Sequence, residues 1–115
     1  MADNQFRPGP VAAQYAHNGC HVIVARGELD LDTTAELATA LAKAADEHGV
    51  VVLNLNAVTF ADSALLNLLL HTHRATTLRI AAPHPRVVLL FEMTGADQVL
   101  HLFATVDDAC TPDRA

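Results

Sequence analysis

VVVLNLNAVTFADSALLNLLLHTHR, residues Val50–Arg74, passes from a buried strand to a helix through Asp62-Ser63. Val50 to Leu55 is an apolar run broken only by Asn54, of strand length, with Gly49 in front of it. Beyond Ala57 the chain leads to Asp62, whose carboxylate suits an N-cap because it can accept a free amide of the first turn. Leucines then crowd the segment from Leu65 to Leu70. Ser63 is thereby placed at the first position of a helix, at the edge of a sheet. Helix N-termini favour anions through their dipole and their unpaired N–H groups, so a phosphate would be well held there.

The same punctuation continues outward. Upstream, Val11 to Tyr15 reads as a first strand, Gly19 turns the chain, and the β-branched run His21–Arg26 reads as a second. Gly27-Glu28-Leu29-Asp30 ends that strand. Thr33 followed by Glu36 has the form of a capping box, with a helix behind it over Thr34–His48. Leu37, Leu41 and Ala44 share one face of this helix, and Gly49 stops it. Downstream, a helix over Ser63–Ala75 is followed by a strand over Leu78–Ala82. Pro85 opens a third helix that Gly95 closes. Gln98 to Phe103 reads as a last strand or a turn of helix, and Asp107 to Cys110 as the start of a short terminal helix. Strands alternating with helices predict an α/β fold: a mixed sheet of about four to five strands, parallel inside, with about four helices. The expected organisation is a flexible arm over residues 1–10, one domain over 11–110 and a tail over 111–115.

Composition narrows the function. A chain of 115 residues, 51% hydrophobic and 17% charged, suits one globular core. The formal net charge of -6 leaves no basic stripe to neutralise phosphates, which argues against nucleic acid. The apolar run Ala64–Leu70, interrupted by Asn67, is far too short to span a membrane. MADNQFRPGP at the N-terminus lacks the basic-then-apolar order of a signal peptide, so a cytoplasmic location is expected. Cys20 and Cys110 lie far apart in sequence with no C-x-x-C spacing, so neither a disulfide framework nor a zinc site is expected, and both read as small apolar fillers. His71 and His73 point apart on a helix, so no metal site is expected there. Ser63 lacks a G-x-S-x-G elbow, and neither a Walker loop nor a dinucleotide fingerprint occurs. No enzyme activity and no cofactor are expected.

At about 100° per residue, Leu65, Leu66 and Leu69 fall on the side of the second helix that faces the sheet. Ser63, Asn67, Leu70 and Arg74 fall on another stripe at i+3 and i+4 spacing. An apolar Leu70 on the stripe that also carries Ser63 fits a partner surface.

From about Val11 to Cys110 the chain resembles the STAS domain family, the fold of bacterial anti-sigma factor antagonists. Gly27-Glu28-Leu29-Asp30 matches the family's Gly-Glu-Leu/Ile-Asp after its second strand, and Val51–Leu55 its central strand. Phe60-Ala61-Asp62-Ser63 matches the segment whose serine, directly after an aspartate, is phosphorylated. Leu89–Gly95, LLFEMTG, is similar to the end of its third helix. The family usually continues Asp-Ser-Ser/Thr-Gly-Leu; here Asp62-Ser63 is followed by Ala64-Leu65-Leu66, so the second hydroxyl and the glycine are replaced. The resemblance implies a non-enzymatic switch in bacterial transcription and stress response. Its unphosphorylated form would bind an anti-sigma factor of the histidine-kinase-like ATPase type. That same partner would act as serine kinase on Ser63, and a metal-dependent serine phosphatase would reverse the step. Glu28, Asp30 and Asp62, with Asn67, Leu70 and Arg74 on the helix, are the expected partner-binding residues. The alternatives are a STAS module that binds a small anion, lipid or nucleotide at the same helix start, or a scaffold subunit of a sensory assembly.

Overall fold

The computed structural model describes residues 9–111; residues 1–8 of the expected arm and 112–115 of the expected tail lie outside them. The elements run β1 Val11–His17, β2 Cys20–Leu29, α1 Leu31–Glu47, β3 Val50–Ala61, α2 Ser63–Ala75, β4 Thr77–Ala81, α3 Pro85–Thr94, a single 3₁₀ turn Ala96–Gln98, β5 His101–Phe103 and α4 Val106–Cys110. The strands form one mixed sheet in the order β1-β2-β3-β4-β5. Only β1–β2 is antiparallel; β2–β3, β3–β4 and β4–β5 are parallel. Asn18 and Gly19, both at positive φ (49° and 84°), make the two-residue turn between β1 and β2.

Alternation along the strands divides the core between the two faces of the sheet. Ile23, Ala25, Val51, Leu53, Leu78 and Ile80 meet α1, α2 and α3 in the main core. Val22, Val52 and Ala81 point the other way and are covered by Ala109 and Cys110 of α4. Each fully buried leucine or isoleucine contributes about 1.5–3 kcal/mol, which is why the apolar stripe fixes the rotation of each helix. In α2 the buried residues are Leu65, Leu66, Leu69 and Thr72, so the leucines face the sheet as their periodicity predicts.

Several boundaries differ from the sequence expectation: β2 runs to Leu29 instead of ending at Arg26, and two others have a clear local cause. The first helix starts at Leu31 rather than Thr34. Asp30, not Thr33, is its N-cap, with Oδ1 accepting from the amides of Asp32 (3.0 Å) and Thr33 (3.1 Å). Thr33 takes the answering role: its Oγ1 accepts from the Asp30 amide at 2.9 Å. The central strand runs to Ala61 instead of ending at Leu55. Opposite β2 residues Val24–Leu29, β3 spends two extra residues, one between Asn54 and Ala57 and one between Val58 and Phe60. Each irregularity breaks the two-residue alternation, so the sequence there stops looking like a strand. Gly27 sits at the second irregularity with φ +81°, a backbone region that side chains disfavour.

At the far end of the sheet His21 stacks on His48, with ring centroids 4.3 Å apart and planes within 2°. The His21 Nε2 lies 2.8 Å from Gln14 Oε1. Burial, and then the neighbouring His48, hold the His21 pKa below its ordinary 6.5, against an opposing pull from Glu47. The folded chain therefore takes up this proton at lower pH than the unfolded chain does. Unfolding is coupled to proton uptake, so stability present at neutral pH is lost as pH falls through 6.5 towards the folded value. Melting temperature is expected to drop over that window, and His21→Gln to flatten the slope. An unchanged slope in the variant would assign the acid sensitivity to another group.

Candidate functional site

The parallel strands β2 and β3 end side by side, with Leu29 opposite Ala61. Each is followed at once by an aspartate cap and a helix: Asp30 before α1, Asp62 before α2. Two helix N-termini therefore open together on the same edge of the sheet. They are capped unequally. Asp30 serves two amides of α1, and these hydrogen bonds, the Thr33 amide foremost, hold its carboxyl below the usual carboxylate range. Asp62 takes one amide of α2, that of Ala64 at 2.9 Å. The first turn of a helix has more donors than one cap can serve, so α2 keeps capacity for an added anion where α1 is more nearly closed.

Ser63 is the first residue of α2 and is exposed. Among the described residues nothing accepts or donates a hydrogen bond to its hydroxyl. Around it the edge is acidic. Glu28 and Asp32 are exposed, Asp30 and Asp62 half-buried, and the ion pairs among the described residues, His17–Asp107 and His48–Glu47, neutralise none of them.

The other expected partner residues divide by distance along α2. Asn67 is exposed one turn beyond Ser63 and belongs to the same edge. Leu70 is half-buried and packs against the main core, so it is not the free leucine that the stripe suggested. Arg74 is exposed in the last turn; eleven residues at 1.5 Å rise put it about 16 Å from Ser63 along the helix axis. The edge thus gathers Glu28, Asp30, Asp62, Ser63 and Asn67, and leaves Leu70 and Arg74 away from it.

Two apolar residues at this edge escaped the sequence reading. Leu31, the first residue of α1, is 77% exposed, and Phe60, opposite Glu28 in β3, is 49% exposed. Phe60 turns outward because the second irregularity in β3 shifts its parity relative to buried Val58. Leu31 follows from the cap: with Asp30 as N-cap, Leu31 falls at the first helical position and outside the buried stripe of Thr34, Leu37, Leu41 and Ala44. Both stand exposed beside the acidic side chains of this edge. A cavity of about 320 Å³ does exist, between α1 and α2, lined by Leu41, Ala45, Asp46, Leu68 and His71 among others. It shares no residue with the Ser63 edge.

No helix among the described residues is long and apolar enough to cross a membrane. The family model of the STAS domain matches residues 12–109. The anti-sigma-F factor antagonist RsfB of Mycobacterium tuberculosis is 32% identical over 103 residues, covering 85% of this chain and 84% of RsfB. The crystal structure of an anti-sigma factor antagonist from Mycobacterium paratuberculosis is similar at a TM-score of 0.79 and 31% identity, over 90% of this chain and 92% of that one. The Bacillus cell fate determinant SpoIIAA in its phosphorylated form shares the fold, with a TM-score of 0.64 and 20% identity over 84% and 94% of the two chains. The family match begins in β1 and ends in α4, taking in both capped helix starts, and the chain belongs to the STAS domain family.

Proposed function

We propose that this chain is an anti-sigma factor antagonist, a non-enzymatic cytoplasmic switch read out at Ser63. In its unphosphorylated form it binds an anti-sigma factor of the histidine-kinase-like ATPase type through the edge formed by β2–α1 and β3–α2. That partner phosphorylates Ser63 with its own ATP and magnesium, and a metal-dependent serine phosphatase removes the group. The observation that carries the reading is the exposed Ser63 hydroxyl at the start of α2, beside a cap that serves a single amide. The likeness to RsfB, an anti-sigma-F factor antagonist, supports an anti-sigma factor as the partner.

The switch follows from local electrostatics. A phosphoserine adds about -1.5 to -2 charge. At a helix N-terminus that charge is favourable to the helix itself, so α2 stays folded. Bulk and repulsion are added instead at an edge that already carries Glu28, Asp30, Asp32 and Asp62. The docking face changes and the fold does not.

The test is direct. The full chain is incubated with an ATPase of this type and magnesium-ATP, and the product is mapped by mass spectrometry. One phosphate on Ser63 is expected, absent from Ser63→Ala. Phosphate on Thr59, with the alanine variant still labelled, would move the switch off this helix start.

A further inference from the structure

The second face of the sheet holds a pair of thiols that the Ser63 switch does not use. Cys20 opens β2 and Cys110 ends α4, ninety positions apart in sequence, yet both are buried in the same small apolar cluster with Val22, Val52, Ala81 and Ala109. The thiol of Cys20 points at the carbonyl of Cys110, with Sγ to O at 4.0 Å. The helix that carries Cys110 has five residues, too few to be stable alone. It is held on the sheet by specific ties: Arg79 donates to the Ala109 carbonyl at 2.8 Å, and His17 Nε2 lies 2.8 Å from Asp107 Oδ1.

We propose that Cys20 and Cys110 form a reversible intramolecular disulfide that locks α4 onto the sheet. The oxidant is a low-molecular-weight disulfide, RS–SR. One cysteine, as thiolate, attacks a sulfur of RS–SR; the S–S bond breaks, and the departing RS⁻ takes up a proton. The second cysteine, deprotonated in turn, attacks the protein sulfur of the mixed disulfide and expels the second RS⁻. Two thiols of the chain are oxidised and one RS–SR is reduced to two RSH.

The surroundings set when this happens. Burial, and then contact with Cys20, push the Cys110 thiol up to about 11, so the closed form holds little thiolate at neutral pH. Reaction therefore proceeds through local opening of α4, after which the fold's own contacts bring the two sulfurs back together. Cys20 starts β2 whereas Ser63 follows the end of β3, parallel to it, so the lock lies at the opposite end of the strands from the Ser63 edge. A bond closing a loop of this length restricts the unfolded chain strongly.

The experiment treats the full chain with excess oxidised glutathione, alkylates remaining thiols under denaturing conditions, and maps peptides without reduction. The expected result is a monomer with Cys20 and Cys110 in one linked peptide and no free thiol. Its melting temperature should rise by about 5 °C or more and return to the starting value with dithiothreitol. Cys20→Ala should show no such rise; if that variant does not fold, the wild-type peptide map decides alone. Glutathione adducts that never resolve, dimers linked between chains, or thiols that stay free would each overturn the proposal.

Discussion

Ser63→Asp is expected to weaken binding to the anti-sigma partner by about 100-fold or more, while melting temperature stays level or rises slightly. The two effects have opposite sign because one carboxylate meets two different environments. Within the chain it sits at the first position of α2, where a negative charge gains about 0.3–1 kcal/mol from the helix dipole. Towards a partner it joins Glu28, Asp30, Asp32 and Asp62, four acidic side chains with no ion-pair partner among the described residues. A partner that docks there carries complementary charge for those four and must place an extra carboxylate where a neutral hydroxyl stood. Like-charge or unpaired-charge contacts in an interface cost several kcal/mol, and about 2.8 kcal/mol is a hundredfold. Ser63→Ala should melt within about 1 kcal/mol of wild type, because Asp62 and not Ser63 caps the helix, and should bind as wild type does. The charge component of the Ser63→Asp effect should shrink as salt is raised, since the edge is exposed. Equal binding by wild type and Ser63→Asp at low salt would remove Ser63 from the docking face.

Most of the fold was legible because its signals are local. Asp62 capping Ser63–Ala75, Pro85 opening α3, and Gly95 closing it at φ 80° each act within one turn. The misplaced boundaries share a cause: a local pattern competed with a second one that only tertiary pairing selects. Thr33-x-x-Glu36 has the capping-box form, but Asp30 stands directly after β2 and reaches the amides first, leaving Thr33 as its answering residue. The end of β3 was illegible because two extra residues opposite β2 break the alternation that identifies a strand. The same irregularities hid Phe60, whose outward direction depends on parity after the break. The contact between Cys20 and Cys110 has no local signal at all, since it arises only when α4 is laid over the sheet face begun by β2.

Leu70 and Phe60 separate the two geometries of the docking face, and their expected phenotypes are opposite. The helix stripe alone would make Leu70 an exposed anchor in line with Ser63. In the folded chain Leu70 is half-buried against the main core, so Leu70→Asp places a carboxylate among apolar neighbours and removes packing. A loss of about 2–4 kcal/mol of stability is expected, with any loss of binding following from it. Phe60 and Leu31 are 49% and 77% exposed, and neither belongs to the core clusters. Phe60→Thr replaces the ring with a β-branched residue that strands favour, and Leu31→Ser keeps a tolerated residue at the first helical position, so each should melt within about 0.5 kcal/mol of wild type. Large apolar side chains at the centre of an interface commonly carry about 2 kcal/mol or more, so Phe60→Thr should weaken partner binding by about 30-fold. Leu31→Ser should cost less, because a flexible leucine at a helix start surrenders more side-chain entropy on docking for less buried area than an aromatic ring. Thermal melting and one titration per variant decide the matter. Loss of binding by Leu70→Asp at wild-type melting temperature, with Phe60→Thr silent in both assays, would place the partner along the flank of α2 instead of across the ends of β2 and β3. The expected pattern is the reverse, because a strand end that turns an aromatic ring outward beside the capped helix start would offer the partner apolar area and the proposed Ser63 switch at one place.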